Sequence, residues 1–332
     1  MLKKILFSSI FLVGAVILGR LLAPSWYHFL AVNQPLANAE VLLVEGWVTD
    51  RTLKLAAQEF KEKNYKKMVI ASIHLPDVYR AHSRGGLVFE IDKALDSIPH
   101  FDTLQVYAYG SQANGQYAQM RVIAGNDTLG EVTTDDQLKA YAFLLKKGVS
   151  PLQQITLEFT NDASAYENDE DRDLYIQSIQ LDQTFIPSRS PFAYYDFGKI
   201  DGSKTERVFD SRAGSSAEVL IAEGIPAHLI HTIDAPRVSI NKTYTTAEAV
   251  AKWLKEEDDN LRKINLITES THARRSWMLY KKAIPKPVEV GVIASIRNPN
   301  IADNWWKSNG NRRYVVSQTV KFWYAVATYL FV

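Results

Sequence analysis

Two textures divide this chain, and their order constrains the fold more than any other feature of the sequence. "VLLVEGW", Val41 to Trp47, is a short apolar run, followed by the helix-like "RTLKLAAQEFKEKNY" and a second apolar run, "KMVIASI". That is a strand, helix, strand unit. The same texture returns late. "SSAEVLIAEGIP" carries Ser215 and Glu218 at capping-box spacing, with Gly224 and Pro226 as stop signals, and "TTAEAVAKWLKEEDD" repeats the box with Thr245 and Glu248. The strand "INLITE", the helix "THARRSWMLYKKA" and the strand "VEVGVIA" follow. Strands alternating with helices imply a mostly parallel sheet covered on both faces.

Between these blocks, from Gly85 to Asp182, the pattern changes. "TLQVYAYG", "YAQMRVIAG", "ITLEFTND" and "LYIQSIQLD" are short, alternate apolar with polar, and are separated by Gly, Asn and Asp turns. Ile155, Leu157 and Phe159 face one way while Thr156, Glu158 and Thr160 face the other. Such a run predicts an antiparallel β-sandwich inserted into an α/β domain. With 332 residues, more than one domain is the natural expectation. The expected fold is therefore an α/β, Rossmann-like three-layer domain with a mostly parallel sheet, discontinuous over 38–84 and 200–332. The sandwich interrupts it at 85–182, and 183–199 is the return linker.

The first thirty residues carry a different expectation. After Lys3 and Lys4, the run Ile5 to Leu22 is broken only by Arg20 and would make a helix about 27 Å long, enough to cross a hydrocarbon core. Trp26 and Tyr27 would lie at the interface. The reading is an uncleaved single-pass membrane anchor over 1–30, with a cytoplasmic N-terminus and an extracytoplasmic body, periplasmic in a diderm bacterium. A signal peptide cleaved near Ala37–Ala39, or a buried helix, is the alternative. Net charge is +1, so nothing argues for nucleic acid. The absence of cysteine excludes disulfides and thiolate metal sites and leaves oxygen-ligand metals.

"FTNDASAYENDEDRDLYI", 159 to 176, places six acidic side chains between Asp162 and Asp173 with only Arg172 among them. Asp169, Asp171 and Asp173 have the spacing of an EF-hand opening, but Leu174 stands where its sharp-turn Gly belongs and Gln180 where its bidentate Glu belongs. An EF-hand is excluded. Crowded carboxylates either stay solvated or take a cation, and Ca²⁺, which accepts six to eight oxygens in irregular geometry, is the candidate.

"FTND" followed by "DRDLYI" resembles the signature of calcium-dependent xylan-binding carbohydrate-binding modules, and "LQVYAYGSQANGQYAQMRV" is similar to the strand and Gly-rich loop of those modules. The resemblance implies a Ca²⁺ ligand set drawn from Asp162, Asp169 and Asp171, with Asp173 in the family's Asn position. It also implies a polysaccharide partner, xylan-like or another glycan with adjacent hydroxyls that complete the ion's shell.

The flanks carry a second likeness. "LLVEGWV", "INKTYTTAEAVAKWL", "LITESTHARRS" and "NWWKSNGNRRYVVSQTVKFWYA" resemble a membrane-anchored branch of the family of unknown function that includes SanA, ElyC and YdcF, through Thr243, Tyr244, Thr268, His272 and Arg275. In an open parallel sheet the ligand crevice lies beyond the carboxyl ends of the strands. Glu45, Arg51, Thr243, His272 and Arg275 all fall at such ends or at the next helix starts. There Arg51 and Arg275 would clamp an anion, and His272 or Glu45 would move a proton. Taken singly, each has a structural role as alternative: a cap, an ion pair, a buried carboxylate.

The aromatic residues Trp305, Trp306, Trp323 and Tyr324 are expected to close the core around a C-terminal helix, with a glycan- or membrane-lining surface as the alternative. His74 and His82 lack a third ligand, and His228 and His231 are ordinary strand-flanking residues. No GxSxG, Walker, GxGxxG or HExxH pattern is present. Two functional classes result: a membrane-tethered α/β enzyme acting on an envelope glycan or phosphorylated carrier that the sandwich holds nearby, or a non-catalytic glycan-tethering, envelope-organising protein.

Overall fold

The computed structural model describes residues 23–95, 100–145, 152–257, 261–296 and 299–329. They divide into two compact units, one comprising the chain up to His74 and from Ser211 onward, the other Leu75–Asp210.

In the first unit five strands form an all-parallel sheet in the order Ile230–Ala235, Lys67–Ile73, Val41–Glu45, Lys263–Glu269, Glu289–Ser295. Val41–Glu45 is buried along its whole length. Alternate residues serve opposite faces. Val41, Leu43, Val69 and Ala71 pack with Val250 and Leu254 of helix Lys242–Glu256 and with Tyr280 of helix Ala273–Ala283. Leu42, Val44, Met68 and Ile70 pack with Leu53, Ala56 and Phe60 of helix Asp50–Glu62 and with Leu220 of helix Arg212–Ala222. Burial on both faces explains why these strands read as unbroken apolar runs.

Helix Arg212–Ala222 starts one turn before its expected cap: Ser211 Oγ accepts from Gly214 N at 3.3 Å, while Ser215 lies inside the helix and its hydroxyl donates to the Arg212 carbonyl. Thr245 likewise lies inside helix Lys242–Glu256, which begins at Lys242 after Asn241 in the left-handed region. A capping-box spacing recurs by chance within helices, and here it marked the second turn rather than the first.

The second unit is antiparallel throughout. One sheet runs Lys139–Leu144, Thr103–Gly110, Leu174–Leu181, Thr184–Pro187, with Tyr79–Ala81 also paired to Leu174–Leu181. The other runs Thr205–Arg207, Ala193–Phe197, Gly85–Glu90, Gln154–Phe159, Gln119–Ala124, Asp127–Thr133. Leu104, Val106, Ile176 and Ile179 from the first meet Leu87, Phe89, Val122, Leu157 and Phe159 from the second in one core. The expected linker 183–199 supplies two of these strands, Thr184–Pro187 and Ala193–Phe197.

The fold class expected for the chain is corrected on two points. It is not a mostly parallel α/β protein: among the described residues antiparallel strands outnumber parallel ones, because the short alternating segments build two sheets of five and six strands against one parallel sheet of five. Nor is a transmembrane helix part of it. Among the described residues no helix is long and apolar enough to cross a membrane. The longest, Asn309–Tyr329, carries Arg312, Arg313 and Lys321. The expected anchor, Ile5 to Leu22, lies outside the described residues, so the single-pass membrane localisation has no support in the structure and is withdrawn. In that C-terminal helix Val315, Phe322 and Val326 pack on Tyr27, Leu30 and Ala31 with Trp305 beside them, but Trp323 and Tyr324 are exposed, since only one face of the helix meets the core.

Candidate functional site

In the antiparallel unit the acidic segment folds as a tight hairpin. Ser164–Ala165 pairs with Glu170–Asp171, a short 3₁₀ turn spans Tyr166–Asn168, and Asp169 closes the turn with φ +56°. Arg172 then turns inward. It is buried and donates to the carbonyls of Gln116 (2.9 Å), Asn161 (2.6 Å) and Ala113, tying the hairpin to the neighbouring strand pair Gln112–Ala113 and Gln116–Tyr117. Ser111 adds a second tie: its hydroxyl donates to the Asp171 carbonyl (2.6 Å) and accepts from Asp173 N (2.8 Å). The strand before it ends at Gly110, where a Cβ would stand 2.2 Å from Thr134 Oγ1, so only glycine lets the strands approach this closely.

Beyond the hairpin the register sets a row of side chains. Arg80, Tyr175 and Tyr109 are successive cross-strand partners on three adjacent strands. Their neighbours Ala81, Leu174, Ile176 and Ala108 point into the core, so strand alternation turns the row outward. Tyr109 and Tyr175 stack with centroids 4.6 Å apart and planes 3° from parallel. On the same sheet Tyr107 hydroxyl reaches the side-chain carbonyls of Gln105 (2.9 Å) and Gln180 (3.1 Å).

The four expected calcium ligands are not gathered into one shell. Asp171 Oδ1 accepts from Ser164 (2.8 Å), and its Oδ2 faces Arg80 Nη2 at 3.2 Å. Asp173 is buried, and its Oδ2 takes Arg80 Nε at 2.8 Å, Arg80 Nη2 at 2.6 Å and the Tyr175 hydroxyl at 3.2 Å, while Oδ1 has no partner among the described residues. The Asp173 carboxylate, and to a lesser degree Asp171, holds the Arg80 guanidinium above its ordinary pKa. Burial, then Asp173, raises the Tyr175 phenol. Asp169 is exposed and Asp162 half-buried, and neither bonds to this pair. Among the described residues no three acidic or histidine side chains converge as metal ligands. The residues do not fit a calcium ion held by Asp162, Asp169, Asp171 and Asp173, because Arg80 already supplies the positive charge between the two that meet.

In the α/β unit the structure brings together three of the five expected site residues. Glu45, at the carboxyl end of its strand, accepts from Thr268 Oγ1 at the end of the adjacent strand and from Ser276 Oγ at 3.0 and 3.1 Å. Arg275 Nη2 lies 2.7 Å from His272 Nε2, and the His272 ring packs against Trp47 at 4.4 Å. Burial raises the Glu45 carboxyl pKa, against the opposing pull of Thr268, Ser276 and Arg275. His272 is held well below its ordinary value by burial, then by Arg275 and Lys321, so it stands as a neutral imidazole near pH 7. Burial also lowers Arg275, with Glu45 opposing. Thr271 Oγ1 and Arg275 Nε are buried without hydrogen-bond partners among the described residues. A second carboxylate, Glu269, accepts from Thr49 N at 2.7 Å and Thr52 Oγ1 at 3.4 Å. Arg51 is exposed and Thr243 half-buried, and neither contacts this group. The sequence reading missed Arg80, Tyr109, Trp47 and Ser276. Only Ser276 had a local signal, since His272 and Ser276 stand four apart on one helical face.

Residues 103–195 match the family model of a calcium-dependent, xylan-binding carbohydrate-binding module, CBM60. No curated protein matches the chain. Among solved structures, a vCBM60 module in complex with galactobiose is 18% identical over 27% of this chain and 70% of its own, with a TM-score of 0.22. A second vCBM60 structure, from work on circular permutation between two families of calcium-dependent carbohydrate-binding modules, is 19% identical over 33% and 81%, TM-score 0.24. A family two carbohydrate esterase from Cellvibrio japonicus is 9% identical over 77% and 94%, TM-score 0.22. None of the comparisons supports the likeness of the flanks to the SanA, ElyC and YdcF family. What the chain does contain is a CBM60 carbohydrate-binding module at residues 103–195.

Proposed function

We propose that this protein binds polysaccharide through its antiparallel unit, and that the outward row of Tyr109 and Tyr175 with the hairpin around Asp171 is the sugar-binding face. The family match over 103–195 carries the reading. The geometry adds a physical reason: aromatic faces bury the apolar side of a sugar ring, and the hydroxyl and amide groups of Tyr107, Gln105 and Gln180 beside them offer donors and acceptors to its rim. Titration calorimetry of the full chain with xylo-oligosaccharides and with galactobiose tests it, each in calcium and in EDTA because the family is calcium-dependent. Saturable binding to at least one is expected, and no heat with either overturns the reading.

A second reading concerns the α/β unit and rests on the buried group Glu45, Thr268, Ser276, His272 and Arg275. It combines a carboxyl group of raised pKa with a neutral imidazole and a guanidinium, the components of proton transfer beside an anion. We assign ligand binding by the α/β unit to this group, with a glycan or a phosphorylated carrier as the substrate class. Turnover of a glycan by the wild type that is lost in His272→Ala and Arg275→Ala would mark an enzyme, whereas binding without turnover would mark a tethering protein.

A further inference from the structure

The acidic hairpin has a resident cation. Arg80 reaches it from the strand Tyr79–Ala81, across the sheet from Tyr175 and far in sequence from the hairpin. Its Nε and Nη2 grip Asp173 Oδ2 at 2.8 and 2.6 Å, and Nη2 also meets Asp171 Oδ2 at 3.2 Å. Asp173 is only 2% exposed, and among the described residues its other oxygen has no partner, so Arg80 and the Tyr175 hydroxyl are all that this side chain's oxygens bond there. Two carboxylates two residues apart repel, the more so because the Asp173 group is buried, although Asp171 beside it is half exposed. One guanidinium, always charged and planar, offsets both. Arg80 is nonetheless half exposed at 52%, and its Nη1 makes no hydrogen bond among the described residues. That edge lies in the row with Tyr175 and Tyr109.

We propose that Arg80 replaces a metal ion in this module: it neutralises Asp171 and Asp173 and offers its remaining N–H edge to the hydroxyls of a sugar lying on Tyr175 and Tyr109. The proposal rests on the glycan-binding reading for its sugar contact, but its charge argument does not. Two consequences separate it from a calcium site. The antiparallel unit is as stable in EDTA as in calcium, and glycan binding survives chelation.

The decisive measurement is thermal melting of the full chain, followed by tyrosine near-ultraviolet circular dichroism, in EDTA, in calcium and in magnesium. Wild type is expected to melt at one temperature in all three. Arg80→Gln removes the resident charge and leaves two facing carboxylates, so it melts lower and gains a stabilisation by calcium that wild type lacks. The double variant Arg80→Gln with Asp173→Asn loses that gain, because one of the two carboxylates is gone. If Arg80→Gln is unfolded without metal, recovery of its tyrosine signal on adding calcium is the same gain, and failure to recover overturns the proposal. A calcium-dependent melt in wild type, or a single variant indifferent to calcium, also overturns it. In parallel, xylo-oligosaccharide titrations of wild type should agree within about twofold with and without EDTA, and Arg80→Gln in EDTA should bind roughly tenfold more weakly. Loss of wild-type binding in EDTA overturns the proposal. Absence of binding in every condition sinks the glycan reading and the sugar contact with it, while the melting series still decides whether Arg80 stands in for the ion.

Discussion

Replacing Arg172 by Met should unfasten the acidic hairpin while leaving the rest of the sandwich core intact. The methionine keeps most of the aliphatic stem, so the loss is chiefly three donated hydrogen bonds. The Ala113 carbonyl is fully buried and would be left bare at about 2 kcal/mol; the Gln116 and Asn161 carbonyls are partly solvated and cost nearer 1 kcal/mol each. The sum, about 4 kcal/mol, is a large share of the 5–15 kcal/mol that typically separates folded from unfolded. For a unit of this size it corresponds to a melting decrease of roughly 12 °C. The assay is selective, because the antiparallel unit contains no tryptophan: all seven lie in the α/β unit. Tryptophan fluorescence therefore follows the α/β unit alone, so a melting loss seen by circular dichroism but not by tryptophan belongs to the sandwich, and Arg172→Lys, which keeps a charge but only part of the donor fork, should fall between wild type and Met. A shift below about 3 °C in Arg172→Met, less than 1 kcal/mol, would falsify the view that this side chain holds the hairpin.

Other outcomes follow from the same geometry. Tyr175→Ala and Tyr109→Ala should each weaken glycan binding by roughly tenfold or more, Tyr109→Ala with little change in melting and Tyr175→Ala with some loss, since its hydroxyl bonds the buried Asp173; titration calorimetry decides, and unchanged affinity in both variants moves the sugar site elsewhere. Gly110→Ala should destabilise the sandwich by about 1–3 kcal/mol, because its Cβ meets Thr134 Oγ1 and Ala118; an unchanged urea midpoint contradicts this. The α/β unit should show pH-dependent stability with two components. The folded pKa of Glu45 is raised, so its contribution is full below about 4.5 and is lost as pH rises through the folded value, and Glu45→Gln should flatten that loss. The folded pKa of His272 is depressed, so its contribution is present above about 6.5 and disappears as pH falls through the folded value. Tryptophan-monitored melts across pH check both, and an identical profile for Glu45→Gln and wild type contradicts the first.

What the sequence made legible was periodic. In "TLQVYAYG" the alternation of Leu104, Val106 and Ala108 with Gln105, Tyr107 and Tyr109 is the in-and-out order of the strand, because a period of two needs no knowledge of the neighbour. The family signature around Asp162 to Ile176 was legible for a related reason: it is contiguous. What stayed hidden depends on register between distant segments. Nothing near Asp173 in sequence announces Arg80 as its partner, 93 residues away, and nothing near Glu45 announces Ser276. Glu45 and His272 share strand-end positions with Arg51 and Thr243, but a strand-end position says only which rim a residue occupies. Which way a side chain turns on that rim is a matter of helix phase, and among the described residues Glu45 bonds Thr268 and Ser276 rather than Arg51 or Thr243. The parallel texture of the flanks weighed most in the sequence reading, whereas the number of strands is decided by the shorter, less conspicuous segments between them.

The ends of the antiparallel unit lie side by side. Leu75 N donates to the Asp210 carbonyl at 2.8 Å, and His74 and Ser211 form an antiparallel bridge immediately outside. For the assembly of the parallel sheet this matters kinetically. Strand Lys67–Ile73 pairs with Ile230–Ala235 across a detour of about 155 residues, most of them the antiparallel unit, an expensive closure for an unstructured chain. Once the antiparallel unit has folded, its own end-to-end bond holds its first and last residues together, and the remaining loop is His74 with residues 211–229, about 20 residues. By the logarithmic dependence of loop entropy on length, that shortening is worth about 2 kcal/mol to the folding nucleus of the surrounding sheet. The sandwich thus acts as a clasp that must shut before the strands on either side of it can find each other quickly, which couples the order of folding to the order of synthesis.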